Sequence, residues 1–359
     1  MKVLILANND VGLYRFRKEL LQKLCQKGEV AVSCPDGENR PALEAMGCRF
    51  LPTPIDRRGI NPFIDLKLLS GYFRLLAAEK PDLVLSYTIK PNIYGGIACR
   101  IKKIPYAANI TGLGTAFQKK GPLKSLVTAL YRVSLKKAEK VFFENQQNLQ
   151  TFLDLAILPL EKTVLLPGAG VNLADFPLLE YPPNGPTRFL FLGRVMKEKG
   201  MDELFAAVRR AAEDGLNVSF DFIGWQEENY RPFMEQMQQE GLLRYHGFQR
   251  DVSPFLRKAH CILLPSYHEG MSNVLLEGAA SGRPLIASDI PGCREAVEDG
   301  KTGLLHPPGN TEKLYQALCR FVSLSWEEKR QMGLAGRELV EKKFEKQKVV
   351  AETLKELGL

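Results

Sequence analysis

Two glutamates, Glu269 and Glu277, are separated by seven residues, each followed directly by a glycine, Gly270 and Gly278. Ionised carboxylates offer only acceptors, so such a pair suits the paired hydroxyls of a sugar or a ribose. Upstream, Gly193-Arg-Val-Met-Lys-Glu-Lys-Gly200 sets two cations, Arg194 and Lys199, between turn-forming glycines. A guanidinium fork beside an ammonium point charge suits a diphosphate. The run Cys261–Pro265 predicts a strand ending at the loop Ser266–Gly270, with a helix starting near Met271–Asn273. Ser272 or Asn273 then caps that helix, and the N–H groups of its first turn form an anion cradle.

Elements must hold these residues in place, and the sequence alternates short aliphatic runs with amphipathic stretches throughout. Strands are predicted at 3–8, 30–34, 49–52, 83–87, 106–110, 141–144 and 164–166, with helices at 14–27, 64–79 and 123–137 among them. After 176–187, which holds four prolines and reads as a linker, strands resume at 188–193, 218–223, 244–248, 261–265 and 284–288. The alternation implies parallel sheets covered by helices on both faces. With 359 residues, two such domains are expected, facing each other across a cleft. Ligands of such sheets bind at the carboxyl ends of the strands, where both motifs fall.

Composition narrows the function classes. No apolar run reaches the length of a membrane span, and the apolar start at Met1 breaks into Asn8-Asn-Asp10 too early for a signal peptide. The seven cysteines form no C-x-x-C, and their odd number points to reduced thiols and a cytoplasmic location. Residues 1–180 carry 25 Lys/Arg against 16 Asp/Glu, and residues 181–359 carry 24 against 25. A net +8 therefore sits wholly on the first half and points to an anionic partner there, either a membrane surface or a phosphate-bearing acceptor. No basic-aromatic stripe or nucleic-acid reader motif occurs, so no nucleic acid is expected. Neither a D-x-D nor a His/Cys/Asp cluster with ligand spacing indicates a metal.

The combination G-R-x4-K-G, S-x-x-E-G-x6-E, Ala279–Glu295 and Asp299-Gly-Lys-Thr-Gly-Leu-Leu305 resembles the retaining glycosyltransferases of family four, which have the GT-B fold of two Rossmann-like domains. The resemblance implies an acceptor-binding domain over 1–175, joined by a crossover helix at 346–359, and a nucleotide-sugar-binding domain over 188–345. It implies that Arg194 and Lys199 hold the donor diphosphate and stabilise the leaving group, and that Glu269 binds donor-sugar hydroxyls. Glu277 would take the ribose, and the backbone of Gly270, Met271, Ser272 and Asn273 the sugar and phosphates. Phe248, in His246-Gly-Phe248, matches the position where the family packs the base. Gly12 looks like the N-terminal loop glycine that approaches the diphosphate.

Asp10–Leu20, Thr88–Gly96 and Asn109–Phe117 are similar to the branch that builds bacterial surface polysaccharides and lipid-linked oligosaccharides, including the N-acetylgalactosaminyltransferases of N-glycan assembly. A UDP-N-acetylhexosamine donor, an undecaprenyl-diphosphate-linked sugar acceptor and no cofactor are the implied requirements. Many members carry a histidine before the Gly-Leu-Gly stretch, where this chain has Thr111, with Asn109 two residues earlier. A same-face substitution, in which the leaving phosphate takes the acceptor proton, relies on positioning and electrostatics and tolerates that loss. A UDP-sugar 2-epimerase of the same fold is the alternative reading. A nicotinamide enzyme is disfavoured because Ala7–Gly12 lacks G-x-G-x-x-G.

Residues 119–137 contain six Lys/Arg and no acid, with Leu123, Leu126, Val127, Leu130 and Val133 on one helical face. Such a helix lies on an anionic bilayer or packs on a parallel sheet, and periodicity alone does not separate the two. With Arg57-Arg58, it marks the surface expected to meet the inner face of the cytoplasmic membrane.

Overall fold

A computed structural model of the chain describes residues 1–57, 59, 61–114, 117 and 121–359. They divide into two compact units, 1–169 with 347–359, and 170–346.

The first unit is built on β1 (Lys2–Leu6), β2 (Glu29–Cys34), β3 (Cys48–Pro52), β4 (Leu83–Tyr87), β5 (Tyr106–Ile110), β6 (Lys140–Phe143) and β7 (Thr163–Leu165). All pairs are parallel, in the order β3-β2-β1-β4-β5-β6-β7. Its helices are α1 (Asp10–Lys27), α2 (Arg40–Ala45), α3 (Pro62–Glu79), α4 (Gly96–Lys102), α5 (Pro122–Leu135) and α6 (Gln146–Asp154). Successive residues of β1 feed opposite faces, as a period of two requires. Leu4 and Leu6 pack with Tyr72 of α3 and Tyr131 of α5. Val3 and Ile5 pack with Leu20 and Leu24 of α1.

The second unit holds β8 (Thr187–Leu192), β9 (Val218–Ile223), β10 (Arg244–Tyr245), β11 (Cys261–Leu264), β12 (Leu285–Ser288) and β13 (Gly303–His306). These are again all parallel, ordered β10-β9-β8-β11-β12-β13. The helices are α7 (Met201–Glu213), α8 (Arg231–Gln239), α9 (Ser253–Lys258), α10 (Asn273–Ala280), α11 (Thr311–Ser323) and α12 (Trp326–Lys343). Both sheets follow the doubly wound order, with strand order reversing between β1 and β4 and between β8 and β11. The crevice at such a switch point is where this topology binds ligands.

Three features differ from the sequence reading. The strand β13 was not anticipated. The expected strand 244–248 shortens to two residues, because Gly247, at φ +64°, turns the chain away. The proline-rich stretch 176–187 lies inside the second unit rather than between units. Prolines cannot donate but keep their carbonyls, and this strap is held mainly by acceptors. Trp326 Nε1 donates to Pro182 O at 2.7 Å, Arg283 Nη2 to Glu180 O at 2.7 Å, and Tyr181 Oη to His260 O at 3.0 Å. Arg283 is completely buried, and burial lowers its guanidinium pKa to about 10. The last helix, α13 (Lys346–Glu356), buries Val350 and Leu354 in the α1 face of the first unit, and Glu356 pairs with Lys140 at 2.8 Å.

His260 locks the strap electrically. Its Nδ1 accepts from the Arg188 amide at 3.1 Å, and Nε2 donates to Pro183 O at 3.2 Å, which defines a neutral ring. Burial lowers its pKa below the ordinary 6.5, against the opposing pull of the Pro183 bond. The unfolded chain then takes up the proton first as pH falls. This stabilisation is complete above pH 6.5 and is lost as pH drops through the lowered folded value. Thermal melts between pH 7.5 and 5 should show Tm falling below about 6.5. His260→Asn should flatten the profile, leaving the share of His306, which burial also lowers. A variant with an unchanged slope would remove His260 from the account.

Candidate functional site

The loops that leave β8 and β11, the two strands flanking the second switch point, carry the residues singled out by their chemistry. Gly193 ends β8, and the chain runs through Arg194 to a single 3-10 turn, Lys197–Lys199, before Gly200 caps the start of α7. Gly200 sits at φ +70°, and a Cβ there would lie 2.1 Å from Pro265 O. Only glycine permits that approach, which presses the first loop onto the second. Tyr267 N donates to Glu198 O at 2.9 Å, and Tyr267 Oη donates to both Glu203 oxygens at 2.7 Å.

This stitching brings Lys199 Nζ to 2.5 Å from Glu269 Oε1, which also accepts from Ser266 Oγ at 2.8 Å. Their side chains are only 16% and 13% exposed, so the pair lies well out of bulk water. Arg194 is nearer the surface and meets Glu227 at 2.8 Å. Behind Glu269, Cys293 is fully buried, and burial, reinforced by the Glu269 charge, pushes its thiol pKa well up. A cation and a carboxylate are thus held within one contact of each other on a backbone-locked turn, with a second cation alongside. Such a set binds hydroxyls and an anionic phosphate group together and stabilises negative charge that develops on a leaving oxygen.

The helix after β11 begins one turn later than Gly270. Ser272 is the cap, its Oγ accepting from Leu275 N at 3.4 Å, and its own N–H donates to Gly292 O at 3.0 Å. The Ser272 amide is therefore committed and does not belong to the expected cradle. Met271 is 5% exposed and joins the hydrophobic core, so its side chain is structural. Asn273 opens α10, and its Oδ1 is buried without a partner among the described residues. Glu277 lies one turn on, along the same helix face, and is buried at 8%. Gly278 serves packing, since a Cβ would come within 2.6 Å of Ile262 Cγ1. Gly292 has a similar part: at φ +84°, a Cβ would meet Gly270 O at 2.5 Å and Glu269 Cβ at 2.9 Å.

Phe248 stands just past β10 and is stacked on Trp225, which leaves β9. Trp225 is the residue of this region that the sequence reading did not name, whereas Ser266, Tyr267 and Gly292 lay within its motifs without a role assigned to them. An aromatic directly after the strand-ending Gly224 was the available signal. His246, in the same loop, meets Asp221 at 2.7 Å. Burial works to raise the Asp221 carboxyl, but Arg244 and His246 outweigh it and hold it below its usual value.

Gly12, Asn109 and Thr111 belong to the first unit and are described there. Gly12 is not in a loop: it lies in the first turn of α1, and its N–H donates to the Asn9 cap at 2.6 Å. Asn109 is an interior residue of β5, buried at 4%; its carbonyl accepts from Asn92 Nδ2 at 2.8 Å. Thr111 follows the strand and is half-buried. Among the described residues no group of three or more His, Cys, Asp or Glu could hold a metal ion.

The sequence matches the family models for group 1 glycosyl transferases over residues 186–323 and for glycosyl transferase 4-like proteins over residues 2–145. It is 26% identical over 353 residues to the N,N'-diacetylbacillosaminyl-diphospho-undecaprenol alpha-1,3-N-acetylgalactosaminyltransferase of Campylobacter jejuni, covering 93% of this chain and 92% of that protein. It is also 26% identical over 291 residues to the Escherichia coli UDP-Gal:alpha-D-GlcNAc-diphosphoundecaprenol alpha-1,3-galactosyltransferase, covering 76% and 73%. The crystal structure of Anabaena HepE in complex with UDP and glucose superposes with a TM-score of 0.82 over 100% of this chain and 99% of that one, at 16% identity. That likeness, with the two parallel sheets, shows the GT-B fold.

Gly200→Ala should lower the melting temperature by at least about 4 °C, because positive φ and the Pro265 contact both oppose a side chain. An unchanged Tm would mean that the two loops do not meet.

Proposed function

The chain belongs to the family-four glycosyltransferases, whose two domain models it matches in order, and from that premise we propose its reaction. It moves a sugar, an N-acetylhexosamine, from a UDP donor to the sugar of an undecaprenyl-diphosphate-linked acceptor, with retention of configuration. The observation that carries the reading is the Lys199–Glu269 contact at the switch point of the second sheet. The names of the two transferases above, with their diphosphoundecaprenol acceptors, support the acceptor class. The UDP bound to HepE supports the donor class.

In this reaction Lys199 and Arg194 hold the donor diphosphate, and Lys199 stabilises the charge that grows on it as the glycosidic bond breaks. Glu269 accepts from donor-sugar hydroxyls, and Glu277 from the ribose diol. The leaving phosphate takes the acceptor proton on the same face, so no basic side chain at Thr111 is required. The donor is a substrate, and the reaction needs no cofactor.

The enzyme then works at the inner face of the cytoplasmic membrane, associated peripherally, a reading that the acceptor class supports. Among the described residues no helix is long and apolar enough to cross a membrane. Exposed apolar side chains gather instead at the starts of two helices on one face of the first sheet: Phe63, Ile64 and Leu66 of α3, and Leu123 and Leu126 of α5. Phe63 is 81% exposed. Lys124 lies between the two leucines of α5. Lys119 and Lys120, expected on the same surface, lie outside the described residues, as does Arg58. Basic and apolar side chains together suit an anionic bilayer.

With a UDP-N-acetylhexosamine and a polyprenyl-diphosphate-linked sugar, the enzyme should form an extended lipid-linked product with the donor's anomeric configuration, read by mass spectrometry and NMR. Lys199→Ala, Arg194→Ala and Glu269→Gln should each lower kcat/KM by about 10²–10³. UDP release without any acceptor product would favour the epimerase reading instead. Co-sedimentation with anionic liposomes should be lost when Lys119, Lys120 and Lys124 are changed to Glu. Undiminished binding of that variant at low salt would dismiss the membrane surface.

A further inference from the structure

Lys90 lies just past the end of β4, one of the two strands that flank the switch point of the first sheet. Its Nζ donates to Asp65 Oδ1 at 2.6 Å, and Tyr94 Oη donates to Asp65 Oδ2 at 2.9 Å. The side chains of Lys90 and Asp65 are each 13% exposed, so neither is a solvated surface charge. The backbone holds the two donors there. Thr88 sits at φ +72°, which a β-branched residue adopts only under constraint, and its carbonyl accepts from Asn92 N at 3.0 Å. The chain then makes one wide turn at Pro91–Gly95, a form that recurs at functional sites. Asp65 itself comes from the first turn of α3, where Phe63, Ile64 and Leu66 are exposed. That helix start therefore turns its apolar side chains to water and its carboxylate inward, the reverse of a solvated one.

We propose that Lys90 and Tyr94 form the seat for the diphosphate of the lipid-linked acceptor, and that Asp65 occupies this seat until the acceptor arrives. The proposal rests on the acceptor class proposed above and adds the residue that holds its headgroup. A carboxylate and a phosphate offer the same pair of acceptor oxygens, and both are strong partners for an ammonium. A diphosphate carries more charge than Asp65 and takes Lys90 from it. The exposed turn of α3 selects a lipid source over a free anion: Phe63, Ile64 and Leu66 enter the bilayer boundary from which the headgroup projects. Lys90 therefore sets affinity for the acceptor and leaves donor binding alone.

Binding is compared on phosphatidylcholine vesicles carrying undecaprenyl diphosphate and on vesicles of equal charge carrying phosphatidylglycerol. The parent should prefer the diphosphate vesicles, and Lys90→Gln should weaken that binding about tenfold or more, to its level on phosphatidylglycerol. Lys90→Arg should keep most of the preference, and Asp65→Asn, which vacates the seat, should bind at least as tightly as the parent. In turnover Lys90→Gln should raise the acceptor KM by a similar factor, with UDP affinity by calorimetry unchanged. Inorganic pyrophosphate should displace the enzyme from diphosphate vesicles only in large excess; equal potency would make the ligand a soluble anion and overturn the lipid source. The seat is also overturned if Lys90→Gln, folded by its thermal melt, binds both vesicles as the parent does or loses both equally. Loss of binding in Asp65→Asn would mark a purely structural ion pair and overturn it too. Should the parent not distinguish the two vesicles, the acceptor class itself fails and the seat falls with it.

Discussion

Everything at the second switch point depends on one missing methyl group. Because Gly200 carries no Cβ, the carbonyl of Pro265 comes to where that atom would stand, and the loops leaving β8 and β11 close into one body. Tyr267 then reaches Glu198 and Glu203 on the other side of the seam, and Lys199 arrives at Glu269. Gly292 repeats the device on the far side of Glu269, where the backbone of Gly270 fills the space a side chain would need. The functional side chains are long and rotamer-rich, and such side chains position a substrate only when their backbones are fixed from several directions. Here that fixing comes from close backbone approaches that no larger residue would allow.

The Lys199–Glu269 pair follows from that geometry and has an energetic logic of its own. Two charges this far from bulk water would each be expensive alone, and their mutual contact, with Ser266 on the carboxylate, offsets the cost. Under the proposed reaction the donor brings its own hydroxyls and phosphate oxygens to the same groups. Those polar atoms replace contacts the pair already makes, so the site is desolvated before the donor arrives. Arg194, more exposed and tied to Glu227, is placed to release its surface partner at less cost.

Much of this was legible in the sequence because the relevant signals are local. Aliphatic runs of strand length identified every strand of the first sheet, and in β1, β2, β4, β5 and β6 burial on both faces leaves no alternation to misread. Glu269, Glu277, Arg194 and Lys199 stood out because each is a charged residue directly beside a glycine, a pairing visible within a few residues of sequence. What stayed hidden was long-range. The partner of Lys199 is 70 residues away, and Trp225 meets Phe248 only because Gly224 and Gly247 pair across adjacent strands. Gly12 was misplaced for a different reason: Asn8-Asn-Asp10 reads as a loop, yet Asn9 is a helix cap and draws Gly12 into the first turn. The prolines of 176–187 likewise signal a break in periodicity, and only the donors on Trp326, Arg283 and His260 decide which unit the break belongs to.

At the end of β5 the chain reads Ile110-Thr-Gly-Leu-Gly114, with no acid or imidazole, and the Asn109 side chain before it turns into the sheet toward Ser86 O. The carboxylate at the end of the neighbouring strand, Glu144, is engaged by Arg17, whose guanidinium lies 5.0 Å from the centre of the Tyr87 ring. A group so held is poised for structure more than for proton transfer. Under the proposed mechanism that is no deficit. In a same-face displacement the strongest base next to the incoming hydroxyl is the departing phosphate itself, and it gains basicity as the bond to the sugar lengthens. The residues that matter are then the cations that govern how far that charge builds. All of those named here, Arg194 and Lys199, come from the loop that follows β8.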